Sequence, residues 1–478
     1  MSTSAAGAPG KSYIGVFALA MISVAAVLSL RNYPTMAVYG WSSIAWYLIG
    51  TLLFIIPLSL AAAELASGWP EDGGVYVWVK EAFGERWGFV AVWCAFSQNL
   101  IWYPTVLSYI AVSFASAIDP SLGANKLYNF VVMLGIFWGT ILINLRGTQM
   151  TSKLSSVGVI VGTLIPGAFI IILWLVWMGL GKHNAIPFST AALIPDLSLG
   201  NLPFVASMVL MFAGIEMCGY YAKDVKNPQK DFPKATFLAA IIIFIMSVVP
   251  TLALAWVVPS KEIDLNAGVI QALGVMFDGL NLHWMSPIMA IMLGVGGVAL
   301  MTAWMVSPAL GLGVVAKDGL LPPMWSHYNK QGIPVGVMML QGVIGSLFTI
   351  AYISIPSVNT AYWIMSAMTT EVLVIMYILI FGAVIKLRYS NPDKPRPYRI
   401  PGGTAGVWII GGTGLVALLL AGYFGMLPPS GMDFTTPTIY VTIMILGTVA
   451  LAFTPFLFLL FRKDSWKEKA QKNQEKHA

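Results

Sequence analysis

Residues 154–181 contain no charged side chain between Lys153 and Lys182, and residues 236–258 (TFLAAIIIFIMSVVPTLALAWVV) contain none either. Each run is longer than the roughly 20 apolar residues an α-helix needs to cross the hydrocarbon of a bilayer. In hydrocarbon every backbone N–H and C=O must be bonded within the protein, so only helices and closed barrels can span it. A barrel would show short segments of alternating polarity, whereas these runs are continuous, and the spans are therefore helical. The rest of the chain agrees: of its 478 residues 58% are hydrophobic and 10% charged, against about 25% charged in a soluble domain. A soluble globular domain, a disordered chain and a nucleic-acid binder are excluded, and two cysteines exclude a disulfide scaffold.

Hydropathy predicts twelve spans, at about 13–39, 41–65, 87–117, 127–145, 154–181, 202–222, 235–258, 284–315, 335–353, 358–385, 406–425 and 437–461. The first is too long for a signal peptide, and no small-residue cleavage site follows it. An even number of spans places both termini on one side. On the alternate side stand only Lys126, Lys182 and Lys261, and Arg31 lies within a span, which leaves 22 of the 26 Lys and Arg with the termini. Basic residues mark the cytoplasmic side, so both termini are expected in the cytoplasm. The net charge of +6 is thus a topology mark and no sign of a nucleic-acid partner.

Four ionisable residues fall within predicted spans, where they are costly and usually functional: Arg31, Glu64, Glu216 and Glu371. Glu64 is near a cytoplasmic helix end and can reach the interface by snorkelling. Glu371 lies mid-span beside Thr369 and Thr370, where an interhelical hydrogen bond is the plain reading and proton coupling the functional one. Arg31 and Glu216 stand where the helix pattern fails. Pro34 removes a backbone donor and disfavours helix in the residue before it, so a break is expected just ahead of it. Gly214 weakens the sixth span beside Glu216, and freed backbone at that depth is tolerated only around a cavity or ligand. The first and sixth spans are five apart. Paired interruptions in corresponding positions of two halves point to the binding site of an inverted-repeat transporter. Arg31 could hold a carboxylate in bidentate fashion or neutralise Glu216, and the residues leave both open.

The loop Gly68-Trp69-Pro70-Glu71-Asp72-Gly73-Gly74-Val75-Tyr76-Val77-Trp78 resembles the re-entrant loop after the second helix of the amino acid–polyamine–organocation superfamily. Phe212-Ala213-Gly214-Ile215-Glu216, with Lys226-Asn227-Pro228 and Pro233 beyond it, is similar to that superfamily's sixth helix and following loop. Lys317-Asp318-Gly319-Leu320-Leu321-Pro322-Pro323 and Asn329-Lys330-Gln331-Gly332-Ile333-Pro334 resemble its loop after helix eight. Tyr33-Pro34-Thr35 and the stretch from Glu262 to Val269 are most similar to the glutamate/GABA antiporter family. The superfamily's first break usually reads Gly-Ser-Gly; here Ser29-Leu30-Arg31 replaces it, and Leu210 stands where a gating aromatic is common.

The resemblance implies an all-α polytopic membrane protein with a LeuT-type five-plus-five inverted repeat and two further helices. The expected division is an amino-terminal tail at 1–12, repeats at 13–181 and 202–385, helices 11 and 12 at 406–461, and a tail at 462–478. It implies secondary transport of an amino acid across the cytoplasmic (inner) membrane, by exchange for a related amino acid or its decarboxylated amine; a proton-coupled symporter is the alternative. The substrate would lie against Ser29, Leu30, Arg31 and Asn32 of the first break and Phe212, Ala213, Gly214 and Ile215 of the sixth, with Trp304 lining the cavity. Glu216 and Glu371 are the proton-coupling candidates, and Trp102 and Tyr103 could stack on a ligand amine. The histidines, His183, His283, His327 and His477, fall in predicted loops or the tail, which speaks against an intramembrane enzyme or a metal centre. No phosphate-binding loop is present, nor a filter repeat or charge ring of a channel. No cofactor is expected. Cys94 and Cys218 lie in or beside spans, so no disulfide-linked subunit is expected either; a homodimer stays open.

Overall fold

The computed structural model describes residues 14–71, 73–216, 225, 227–429 and 436–469. Among these, ten continuous helices are long and apolar enough to cross a membrane: Gly40–Gly68, Glu85–Ile118, Lys126–Asn144, Gln149–Gly179, Pro228–Val257, His283–Lys317, Val335–Ser354, Val358–Ser390, Gly403–Gly425 and Pro437–Leu460. An eleventh span is broken into Val16–Val27 and Leu30–Ala37, bent by 49°. These match eleven of the predicted spans in order. The sixth is represented by Pro203–Phe212 and the turn after it, with 217–224 outside the described residues. Lys223, Lys226 and Cys218 fall there too, as do Lys11 and the end of the carboxyl-terminal tail.

The third span forms the centre of the bundle, packed on the eighth and the tenth, and the broken first span packs on the seventh. The fourth, fifth, ninth, eleventh and twelfth surround them and turn large apolar side chains outward, among them Leu142, Ile172, Leu347, Leu419 and Leu446. The fifth span contains a π-helical turn at Ile160–Leu164. There Gly162 meets Gly296 of the eighth span so closely that a Cβ on Gly162 would lie 2.1 Å from the Gly296 Cα. Small residues allow such backbone contact between membrane helices.

The first break corrects one expectation. It falls at Leu28 and Ser29, whose ψ angles of 122° and 119° take the chain out of the helix, and not directly before Pro34. Pro34 belongs instead to the first turn of the helix Tyr33–Ala37. A missing N–H costs no helical bond there, and the fixed φ of proline suits a helix start.

Two short helices outside the spans position the site. Val75–Phe83 follows the double glycine Gly73-Gly74 and is tied to the end of the eighth span: Asp318 Oδ2 accepts from the Tyr76 hydroxyl at 2.6 Å and from Lys80 Nζ at 2.7 Å. At the opposite end, Gly268–Gly279 lies against the first span, with Gly268 packed on Pro34. The turn before it is fastened by Asn266 Nδ2 to Ser108 Oγ (3.0 Å) and by Asn359 Oδ1 to the Leu265 N–H (3.1 Å).

Glu64 does not snorkel. It is fully buried between the guanidinium groups of Arg388 and Arg396. Arg388 donates through Nε at 3.0 Å and through Nη2, Arg396 through Nη1 at 2.6 Å, and the Ile400 N–H adds a further bond at 2.8 Å. An interface-reaching carboxylate would leave both arginines unpaired, and a buried charge is tolerated only when paired and hydrogen-bonded. The cluster binds the second span to the end of the tenth and to the segment after it.

Candidate functional site

The two interruptions meet. The helix Pro203–Phe212 ends at Ala213, and Gly214 takes φ +102°. A Cβ at Gly214 would lie 2.9 Å from the Ala26 carbonyl oxygen and 2.9 Å from Trp304 Cζ2. Only glycine fits this crossing, because a side chain there suffers both the backbone strain and the collision. The carboxylate of Glu216 folds back onto the break: Oε2 accepts the Gly214 N–H at 3.0 Å, and the Tyr377 hydroxyl lies 3.2 Å from both oxygens. The chain thus satisfies one of the backbone donors it frees with its own buried acid.

Beside the crossing lies a narrow cavity lined by Ser29, Asn32, Ala213, Gln98, Asn99, Trp102 and Trp304 among others. Its polar wall is built by the third span. Asn99 Nδ2 holds the Trp304 carbonyl at 2.8 Å, and Gln98 Nε2 donates to Asn99 Oδ1 at 2.6 Å. Trp102 and Trp304 are 6.2 Å apart between ring centroids. A larger cavity shares Ala26, Gln98 and Trp304 with the first. It extends past Glu216 and Pro308 to Gly73 and Val75, toward the side where Lys80 lies.

Arg31 does not pair with Glu216. It is 2% exposed, and its Nη1 donates to Thr105 Oγ1 at 2.9 Å. Its guanidinium carbon stands 5.6 Å from the Trp102 ring centroid and 5.3 Å from that of Tyr362. Nε and Nη2 have no partner among the described residues.

The predicted residues therefore separate into groups. Ser29, Asn32, Ala213 and Trp304 line the smaller cavity, and Gly214 packs on Ala26 and Trp304 of its wall. Leu30 and Arg31 line a neighbouring recess. Phe212 turns away from the site, packing on Tyr47 and Gly50, and Ile215 is fully buried. Tyr103 packs on Phe137 behind the cavity, so it cannot stack on a ligand there. Glu371 lies apart: it faces Gly422 and Gly425 of the eleventh span, and its Oε1 has no partner among the described residues. Gln98, Asn99, Thr105 and Tyr377 were not anticipated. The consecutive amides Gln98-Asn99 in the middle of an apolar span were the available signal.

Discontinuous helices crossing at a buried polar cavity, within a shell of continuous spans, define a multi-pass membrane transporter of the LeuT type. The chain belongs to the amino acid permease family, which it matches over residues 14–450. It is 38% identical over 448 residues to an uncharacterized transporter of Legionella pneumophila, covering 94% of this chain and 97% of that one. It is 29% identical over 451 residues to the glutamate/gamma-aminobutyrate antiporter of Lactococcus lactis subsp. lactis, covering 93% and 90%. In structure it is similar to MhsT in complex with L-phenylalanine, with a TM-score of 0.58 and 15% identity, over 87% of this chain and all of that one.

Proposed function

We propose that the protein exchanges one amino acid for a related amino acid or its decarboxylated amine across the cytoplasmic membrane. Both termini are cytoplasmic in this reading, residues 13–181 and 202–385 are the inverted repeats, and 406–461 are accessory. The observation that carries it is the crossing of the two breaks at Gly214 and Ala26 beside a polar cavity. Backbone groups freed at such breaks can hold both ends of a zwitterion without side-chain charges. Ser29, Asn32 and Ala213 bring those groups to the cavity, and Trp304 bounds the bound molecule on one side. The larger cavity leads from the site toward Lys80, the cytoplasmic side by charge distribution, while Gly268–Gly279 covers the other end. This is one of the two arrangements that alternating access requires. The antiporter relative from Lactococcus lactis supports exchange over one-way uptake. Glu216 is the proposed coupling group, because it lines the larger cavity while bonded to the break at Gly214 and to Tyr377 of the tenth span.

Purified protein in liposomes tests the reading. Labelled amino acids from the set of twenty, and common amines, are offered to vesicles with and without the same compound inside. Saturable uptake that requires internal substrate is the expected result. Uptake driven equally into empty vesicles by a proton gradient would replace exchange with symport. Non-saturating ion current with no counterflow of any compound would overturn the carrier reading.

A further inference from the structure

Beside the substrate cavity, and meeting it at Ser29 and Leu300, lies a second, narrow recess between the first break and the third, fifth and eighth spans. Arg31 lines it, with the hydroxyl-bearing Ser29, Tyr109 and Thr163, and its far wall is the close contact of Gly162 with Gly296. No acidic side chain lines it among the described residues. We propose that the free edge of the Arg31 guanidinium is an anion site, taking a compact carboxylate or halide beside the recess that the two breaks form.

Three observations support it. Arg31 is buried to 2% exposure, yet among the described residues only Nη1 is bonded, to Thr105, whose own hydroxyl proton is spent on the Trp102 carbonyl at 2.7 Å. Nε and Nη2 form the fork that matches two acceptor oxygens or one halide, and both lack a partner among the described residues. The nearby acids among the described residues bond elsewhere: Glu216 to Gly214 and Tyr377, and Asp264 to the backbone N–H groups of Asn266 and Ala267. The rings of Trp102 and Tyr362 stabilise the cation but leave its charge uncompensated. A buried charge needs a counter-charge, and here the recess supplies neutral hydroxyl groups beside an unpaired guanidinium edge.

Two sources can deliver that chemistry. One is a second carboxylate on the substrate, reaching past Ser29 while the main-chain groups stay at the breaks; this version rests on the function proposed above. The other is an inorganic anion such as chloride. Thermal unfolding of the purified, full-length protein separates them. L-glutamate and L-aspartate are compared with L-glutamine and L-asparagine in sodium gluconate, and sodium chloride is titrated alone against gluconate. Stabilisation by the acids and not by their amides, without a chloride effect, assigns the site to the substrate. Stabilisation by chloride alone assigns it to the halide. In either case Arg31→Met removes the effect, and Arg31→Lys, which keeps the charge and loses the fork, raises the apparent dissociation constant at least tenfold. Absence of both effects in the wild type overturns the proposal, and so does an effect that survives in Arg31→Met. Should Arg31→Met fail to fold, an unchanged affinity in Arg31→Lys overturns it equally. Counterflow of neutral amino acids in gluconate without any anion effect would retain the exchange function while removing the anion site.

Discussion

Gly214→Ala puts a single methyl group into the crossing of the broken helices. The φ of +102° costs a residue with a side chain about 1–3 kcal/mol. The new Cβ also lies 2.9 Å from both the Ala26 carbonyl oxygen and Trp304 Cζ2, closer than such atoms approach. Neither neighbour withdraws easily. The first is main chain of Val16–Val27, and the second belongs to a residue whose carbonyl is held by Asn99 at 2.8 Å. If the strain falls on the substrate-binding arrangement, about 1–3 kcal/mol lowers its population roughly 5- to 150-fold. The assay is counterflow of labelled substrate in liposomes at matched protein content, with thermal unfolding as a check on folding. Gly139→Ala is the control, because a Cβ there meets nothing within 4 Å. The larger Gly214→Leu abolishes transport. Gly214→Ala transport within twofold of wild type would refute the packing argument, since the crossing would then have room for a side chain.

Glu216→Gln keeps an acceptor for the Gly214 N–H but not the ionisable group; counterflow is expected to slow and its pH profile to flatten, and an unchanged rate and profile would remove Glu216 from coupling. Glu64→Gln leaves Arg388 and Arg396 buried without their counter-charge and costs about 3–5 kcal/mol, read as a lower thermal midpoint; an unchanged midpoint contradicts the buried-pair assignment. Cysteines substituted at Lys182 and Lys261 are labelled by an impermeant maleimide on intact cells and those at Lys226 and Lys394 are not, whereas the reverse pattern would overturn the orientation drawn from the basic residues.

The spans were legible because hydropathy is a property of consecutive residues and the bilayer tests it directly. The breaks were legible for a related reason: Arg31 and Glu216 violate the apolar rule, and Pro34 and Gly214 violate the helical one. Where the first break falls was not, since a proline two residues inside a new helix resembles one that ends an old helix. The helix Gly268–Gly279 was hidden because it is too short to span and lay inside a stretch read as a loop. Partners were the least visible. Thr105 for Arg31, Tyr377 for Glu216 and the two arginines for Glu64 lie 74 to 332 residues away in sequence. No local pattern marks those pairings, and Glu64 was accordingly given the interface, the one partner that needs no other residue.

The clasp around Glu64 also fixes an order of events during biogenesis. Its first partner, Arg388, is 324 residues downstream, and at about 5–20 residues per second the ribosome takes roughly 15–65 s to reach it. Throughout that interval the spans from the third to the tenth are made while the carboxylate of the second has neither Arg388 nor Arg396 to meet. Its place near a helix end then matters: the acid can wait at the lipid headgroups and be drawn inward when the tenth span and the segment to Ile400 emerge. Closure of this end of the molecule is therefore post-insertional, and the nascent bundle stays unlatched until nearly all of its helices have been made.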